Sequence, residues 1–282
     1  MRTKHWIALL ALGLPAAMTP LMAHGDDCHF KADRAGGVDA KGVEKVVIRA
    51  GAGDMKVIGR TNAVRIEARG VACAGKQEML DATQISVRRE GNTVFVETTL
   101  PQNDDDWSWG NNDYAYIDLG VALPANLPVD AIDSSGDSVF EDLKSLALQD
   151  SSGDLRVRRI AEMAEVGDSS GDLTIEDVGS AQVRDSSGDI EIDHVRKDVR
   201  IVSDSSGDMR ILNVDGGVVV ESDSSGGIRI EDVKGAVRVE SDSSGDIYAA
   251  HVGGDFTVSQ DGSGSITHES IGGQVSVPAN KE

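Results

Sequence analysis

VESDSSGGIRIEDVKGAVRVESDSSGDIYAAHV, residues 220–252, contains nearly the same peptide twice, nineteen residues apart. D-S-S-G begins at Asp133, Asp150, Asp168, Asp185, Asp204, Asp223 and Asp242, and a decayed copy, D-G-S-G-S, begins at Asp261. The spacings are 17, 18, 17, 19, 19, 19 and 19 residues. Apolar residues keep a fixed phase to each copy. With the residue after S-S-G as zero, they stand at +1, +3, +6, +10 and +12. In one copy they are Met209, Ile211, Val214, Val218 and Val220, and in the next Ile228, Ile230, Val233, Val237 and Val239. The +1/+3 and +10/+12 pairs alternate with polar residues, so each copy holds two short strands with one buried face.

A unit of this size cannot bury its apolar face alone and must stack on its neighbours. The expected fold is all-β: a single-stranded parallel β-solenoid (β-helix), right-handed, with an inserted hairpin and loop region near the N-terminus. Coils stacked at about 4.8 Å would make a rod roughly 35–40 Å long. The phase recurs upstream. Gly53-Asp54-Met55-Lys56-Val57 reads as a degenerate start, Val64 and Ile66 fall at +10 and +12, and Val46 and Ile48 fit the preceding strand. The solenoid is therefore expected to begin near residue 43, break off, and resume at Val129. Within the break, 84–89 and 93–99 flank Glu90-Gly91-Asn92 as a hairpin, and 75–82 reads as a short helix. The expected layout is a signal peptide at 1–23, an N-terminal capping region at 24–128, solenoid repeats at 129–277 and a tail at 278–282.

The first 23 residues carry the marks of a secretory signal. Arg2 and Lys4 supply a positive start, 6–14 an apolar stretch, and Leu21-Met22-Ala23 a small-residue cleavage site. The apolar run is too short to span a membrane, and no membrane insertion is expected. Without Arg2 and Lys4, 25 basic and 48 acidic residues leave a net charge of −23. That charge repels nucleic acid and anionic lipid. Export to the periplasm, cell surface or medium also suits the two cysteines, Cys28 and Cys73, as one structural disulfide.

S-S-G-D followed by alternating apolar residues, YIDLGVALPANLPVD leading into the first full repeat, and the earlier GAGDMKVIG together resemble a bacterial family of "putative adhesins" with β-strand repeats, a domain of unknown function. The resemblance covers most of the chain after residue 23. It implies the solenoid fold and an adhesin-like role.

Two features carry candidate chemistry. If strand alternation runs back through the turn, Asp223, Ser225 and the acidic position after S-S-G face outward, while Ser224 and Gly226 face inward. Stacking then forms two files of carboxylates: Asp133, Asp150, Asp168, Asp185, Asp204, Asp223 and Asp242, and Asp137, Asp154, Asp172, Asp189, Asp208 and Asp246. Neighbours about 4.8 Å apart repel by roughly 0.9 kcal/mol even at the dielectric of water. Asx and ST turns, or interleaved Arg156, Arg210 and Arg229, would offset this locally. Bound calcium would offset it chemically. The second feature is NDDDWSWGNNDYAY, residues 103–116, where Trp107, Trp109, Tyr114 and Tyr116 sit in an acidic loop suited to sugar or protein contact, or to covering the solenoid core.

Catalysis finds no support. Serines recur in every turn without a recurring histidine, and no G-x-S-x-G elbow is present. The reading is a non-enzymatic, exported binding or scaffolding module of the envelope. Its partner would be an envelope protein or a glycan, and its solenoid ends could self-associate. The alternatives are a carbohydrate-active β-helix enzyme and an envelope-stress or signalling accessory protein.

Overall fold

The computed structural model describes residues 28–101 and 113–278. The signal-peptide reading, Trp107 and Trp109 lie outside them.

Two twelve-stranded sheets face each other. From Pro128 onward every coil gives one strand to each sheet, paired parallel and in register with the coils before and after. Ile190, Met209, Ile228 and Ile247 lie side by side in one sheet. Val199, Val218, Val237 and Phe256 do so in the other. The fold is the β-solenoid expected from the repeat. The residues at +1, +3, +6, +10 and +12 form one continuous core, with Ile211, Val220, Ile230 and Val239 fully buried. The two 17-residue coils bury the second pair at +9/+11 instead, as Leu146/Leu148 and Ala181/Val183. The last coil has exposed His268 at +3, and one +1 place is polar. Ser138 stands at the apolar +1 place and is fully buried.

Longer repeats add residues at corners. The strand Ser180–Arg184 meets Val199–Ser203 through a register shift after Val183, so that Arg184 pairs with Ser203. This bulge lets 17- and 19-residue coils share one core.

The chain enters the solenoid one coil before the insertion. Lys45–Arg49 pairs parallel with Pro128–Ile132, and Met55–Arg60 with Ser138–Glu141, so the two coils touch across the residues between them. Val64 and Ile66 do not complete that coil as the phase suggests. Val64 is 73% exposed. Ile66 is buried in Arg65–Ala74, a strand that runs antiparallel to both Phe30–Asp39 and Ala115–Pro124. The places flanking Val46 and Ile48 are filled instead by Val94 and Val96 on one side and by Val129 and Ala131 on the other. Val94 and Val96 belong to the hairpin Gln84–Glu90/Thr93–Thr99. These antiparallel strands, with the short helix Gln77–Ala82, cover the N-terminal end of the parallel stack. They protect edges that would otherwise pair with other chains. Cys28 and Cys73 form a disulfide with a Cα–Cα distance of 5.7 Å, tying the first strand to this cover.

Candidate functional site: the two corners of the coil

Each coil turns twice between the sheets. At the D-S-S-G-D corner the glycine has φ between +115° and +147°. A Cβ on Gly207 would lie 1.9 Å from the carbonyl oxygen of Gly188 in the neighbouring coil. Only glycine meets both the backbone conformation and the approach.

That glycine overturns the expected facing of the turn. The left-handed φ resets the in-out alternation, so the first aspartate points into the molecule. Asp133, Asp150, Asp168, Asp185, Asp204, Asp223 and Asp242 are each no more than 5% exposed, whereas Ser224 is exposed. They form an internal file. In the last coils their backbones pair directly, Asp204 with Asp223, Asp223 with Asp242, and Asp242 with Asp261. Burial pushes the Asp150 carboxyl up to about 7, with the charges of Asp133 and Asp168 adding to it. Burial likewise raises Asp223 to about 7, and Asp133 and Asp185 to about 6. Asp168, Asp204 and Asp242 move in the same direction for the same cause. The backbone N–H groups of Ser134 and Ser169 donate to Asp133 and Asp168 at 2.8 and 2.6 Å, the expected Asx arrangement. At Asp150, Asp185 and Asp204 the turn N–H groups lower the pKa partway but do not reach hydrogen-bonding geometry. Both oxygens of each of these carboxyls have no partner.

The second aspartate does face outward, as expected, and its role is structural. Oδ1 of Asp137 accepts the backbone N–H of Asp154 at 3.0 Å. Asp154 serves Asp172, Asp172 serves Asp189, and Asp189 serves Asp208 in the same way. The series ends with Asp208 to Gly227 and Asp246 to Ser265. In the six turns from Ser152 to Ser244 the second serine adds a further bond, its hydroxyl donating to a carbonyl of the adjacent coil, as from Ser225 to Ser205 at 3.0 Å. Among the described residues, no three His, Cys, Asp or Glu side chains converge as a metal ion would require. Arg229 does not interleave with the carboxylates. It pairs with Glu231 and lies over the Tyr248 ring, 4.4 Å from its centroid.

The opposite corner escaped the repeat reading. At +5 each coil from residue 128 onward places a residue with φ between 52° and 59°: Asp142, Arg159, Asp177, His194, Asn213, Asp232, His251 and Ser270. None is glycine, although glycine would relieve a cost of roughly 1–2 kcal/mol at each. The signal was present in the sequence as a polar residue between the +4 place and the apolar +6, mostly of the Asp/Asn/His type that tolerates this conformation. From Arg159 onward these side chains are exposed. An open groove of about 810 Å³ follows them past Asp177, His194, Asn213, Asp232, Lys234 and His251. A second groove, of about 750 Å³, lies at the same corner beside Arg60, Asp142 and Arg159. His194 Nδ1 is 2.8 Å from Asp193, and His251 Nδ1 is 3.2 Å from Asp232. Arg159 grips Asp142 at 2.7 and 2.9 Å. The edge is thus a row of hydrogen-bonding groups of both signs, one per coil, with no enclosing wall.

Of the aromatic loop, Tyr114 and Tyr116 are described. Their rings stack with centroids 6.4 Å apart, and the Tyr114 hydroxyl accepts the His29 N–H at 3.2 Å. They pack beside the disulfide-linked strand, away from the groove.

A family model described as Toastrack DUF4097 matches residues 37–214, well over half of the chain. The chain belongs to the Toastrack DUF4097 family. The match spans the first coil, the inserted strands and the first five D-S-S-G corners. Similar solved structures include a "putative lipid binding protein" from Parabacteroides distasonis, 13% identical, covering 88% of this chain and 97% of that one with a TM-score of 0.44. A "putative adhesin" from Bacteroides fragilis is 14% identical, over 89% and 98%, at 0.37. A "putative cell adhesion protein" from Clostridium sporogenes is 13% identical, over 88% and 99%, at 0.28. At these values no function passes from those proteins to this one. No curated protein matches the chain.

Proposed function

We propose that this Toastrack protein is an exported, non-catalytic binding module of the bacterial envelope, and that it engages an extended polar polymer, a glycan, along its left-handed corner. The observation that carries this reading is the +5 row. From the first full repeat onward the chain keeps glycine at the D-S-S-G place of one corner but not at the +5 place of the other, where eight side chains hold a left-handed conformation. Backbone conformations of this kind cluster at ligand-binding and active sites. The row repeats at the coil spacing, and seven of its eight members line two open grooves at this corner, a shape suited to a linear ligand held by many weak contacts. The serines and outer aspartates of the other corner are occupied in coil-to-coil hydrogen bonds, which argues against a nucleophile or an acid–base pair there. The disulfide fits an oxidising compartment.

Glycine itself supplies the test. Asp177→Gly, His194→Gly, Asp232→Gly and His251→Gly remove the groups while fitting the backbone. Retention of the purified protein on immobilised envelope glycans should fall at least tenfold, with an unchanged or higher melting temperature. Undiminished retention would remove the groove from consideration. Release of shorter saccharides from the bound glycan would instead favour a carbohydrate-active enzyme.

A further inference from the structure

Among the described residues, no basic side chain pairs with the internal aspartate file. The groups whose charges act most strongly on it are acidic: its own members, and Asp54, Asp154 and Asp189 of the outer column. The inward residues that precede and follow it along the chain, among them Val183, Ile190, Ile201 and Met209, belong to the aliphatic core. Both oxygens of Asp150, Asp185 and Asp204, and one oxygen each of Asp168, Asp223, Asp242 and Asp261, are buried without a hydrogen-bond partner. An ionised carboxylate left in that state is among the most unfavourable arrangements a protein can contain.

A neutral carboxyl group changes the accounting, because it carries a donor as well as an acceptor. In a parallel, in-register stack, identical side chains lie one coil apart. The O–H of one acid can then be given to an oxygen of the next, as amide side chains do in stacked ladders. Asp133 shows the alternative solution. Ser138, which replaces the aliphatic residue of the other coils, donates its hydroxyl to Asp133 Oδ2 at 2.5 Å. No later coil keeps such a serine at that place; they carry Leu155, Leu173, Ile190, Met209, Ile228 and Ile247.

We propose that Asp150, Asp168, Asp185, Asp204, Asp223 and Asp242 are a proton-binding file: the carboxyl groups share protons along the solenoid axis, and the folded protein binds them where the unfolded chain does not. The pH dependence follows in sign. The folded-state values lie above the ordinary 3.8, at about 6 to 7 where most displaced. The stabilising contribution is therefore complete below pH 4 and is lost as the pH rises toward and through 7.

The file is tested by unfolding the intact exported chain with urea in weakly buffered solution at pH 6. More than one proton per chain should be released. A triple variant, Asp185→Asn, Asp204→Asn and Asp223→Asn, keeps a donor and an acceptor at each place but cannot ionise. It should release correspondingly fewer protons and melt higher than the parent at pH 8.5. Glu191→Gln removes one exposed charge and should leave the release unchanged, which separates the file from general self-repulsion. The infrared band of protonated carboxyl groups at pH 6 should weaken in the triple variant. Proton release at or below zero, or a triple variant that matches the parent in release and in the band, overturns the proposal. A melting temperature raised by calcium, lowered by EDTA and made insensitive by the triple variant would assign the file to a metal ion and likewise overturn it.

Discussion

Gly207→Ala and Gly91→Ala place the same methyl group at two glycines of positive φ and should differ sharply. Gly91 turns the N-terminal hairpin at φ +59°, and a Cβ there would meet nothing within 4 Å. Its substitution should cost only the left-handed conformation, about 1 kcal/mol. Gly207 has φ +130°, where backbone strain is roughly 1–3 kcal/mol. Its Cβ would also lie 1.9 Å from the Gly188 oxygen and 2.6 Å from the Gly188 carbonyl carbon, so the coils must part by about 1 Å. Three contacts lie in the path of that movement. They are Gly188 N–H to the Ser206 carbonyl at 3.1 Å, Ile190 N–H to the Asp208 carbonyl at 2.9 Å, and Asp208 N–H to Asp189 Oδ1 at 2.9 Å. Losing two of them at about 1 kcal/mol each, added to the strain, brings the total to roughly 3–5 kcal/mol. For a chain of this length that corresponds to a melting temperature lowered by on the order of 10 °C, against about 2–4 °C for Gly91→Ala. Circular dichroism melts of both variants at one pH and protein concentration provide the comparison. If Gly207→Ala melts within about 3 °C of Gly91→Ala, coil contact is not what requires glycine at this corner.

Two other substitutions probe separate supports. Gly227 stands where neighbouring coils carry the outer aspartate, its added Cβ would meet Asp208 Oδ1 at an acceptable 3.4 Å, and the Asp246 N–H above it lacks the acceptor its counterparts have. Gly227→Asp should complete the series and raise the melting temperature by about 2 °C, a hydrogen bond of roughly 1.5 kcal/mol partly offset by repulsion between aspartates; a fall would show that the outer ladder is not stabilising. The disulfide closes a separation of 45 residues, so reduction should destabilise the N-terminal cover by about 4 kcal/mol. Hydrogen exchange should quicken in the strands around 30–39 and 65–74 and leave the coils beyond 190 unchanged; equal change throughout would show that the cover and the coils unfold as one.

The repeat made the coil legible because its apolar places answer to a local rule. Alternation at +1/+3 and +10/+12 requires two strands per copy, and copies this short can bury those residues only against one another. The hairpin, the short helix and the Cys28–Cys73 pairing were equally readable from local pattern and composition. The first coil was legible in part. Val46 and Ile48 obey the phase, but Val64 and Ile66 obey it by coincidence, because the places beside that coil are taken by Val94 and Val96, distant in sequence.

The candidate sites depended more on three dimensions. Whether Asp223 points in or out turns on the φ of Gly226, and alternation carried across that glycine gives the wrong face. The outer aspartates looked available for ligands until the coils were stacked and each was found to accept the next coil's N–H. Eight polar residues at +5, scattered over some 130 residues of chain, become one edge only when the coils align. Sequence periodicity therefore decided which residues recur and which must be buried. The tertiary structure decided which recurring polar groups are occupied, which are exposed, and which are sealed inside without a partner, because each depends on the coil next door.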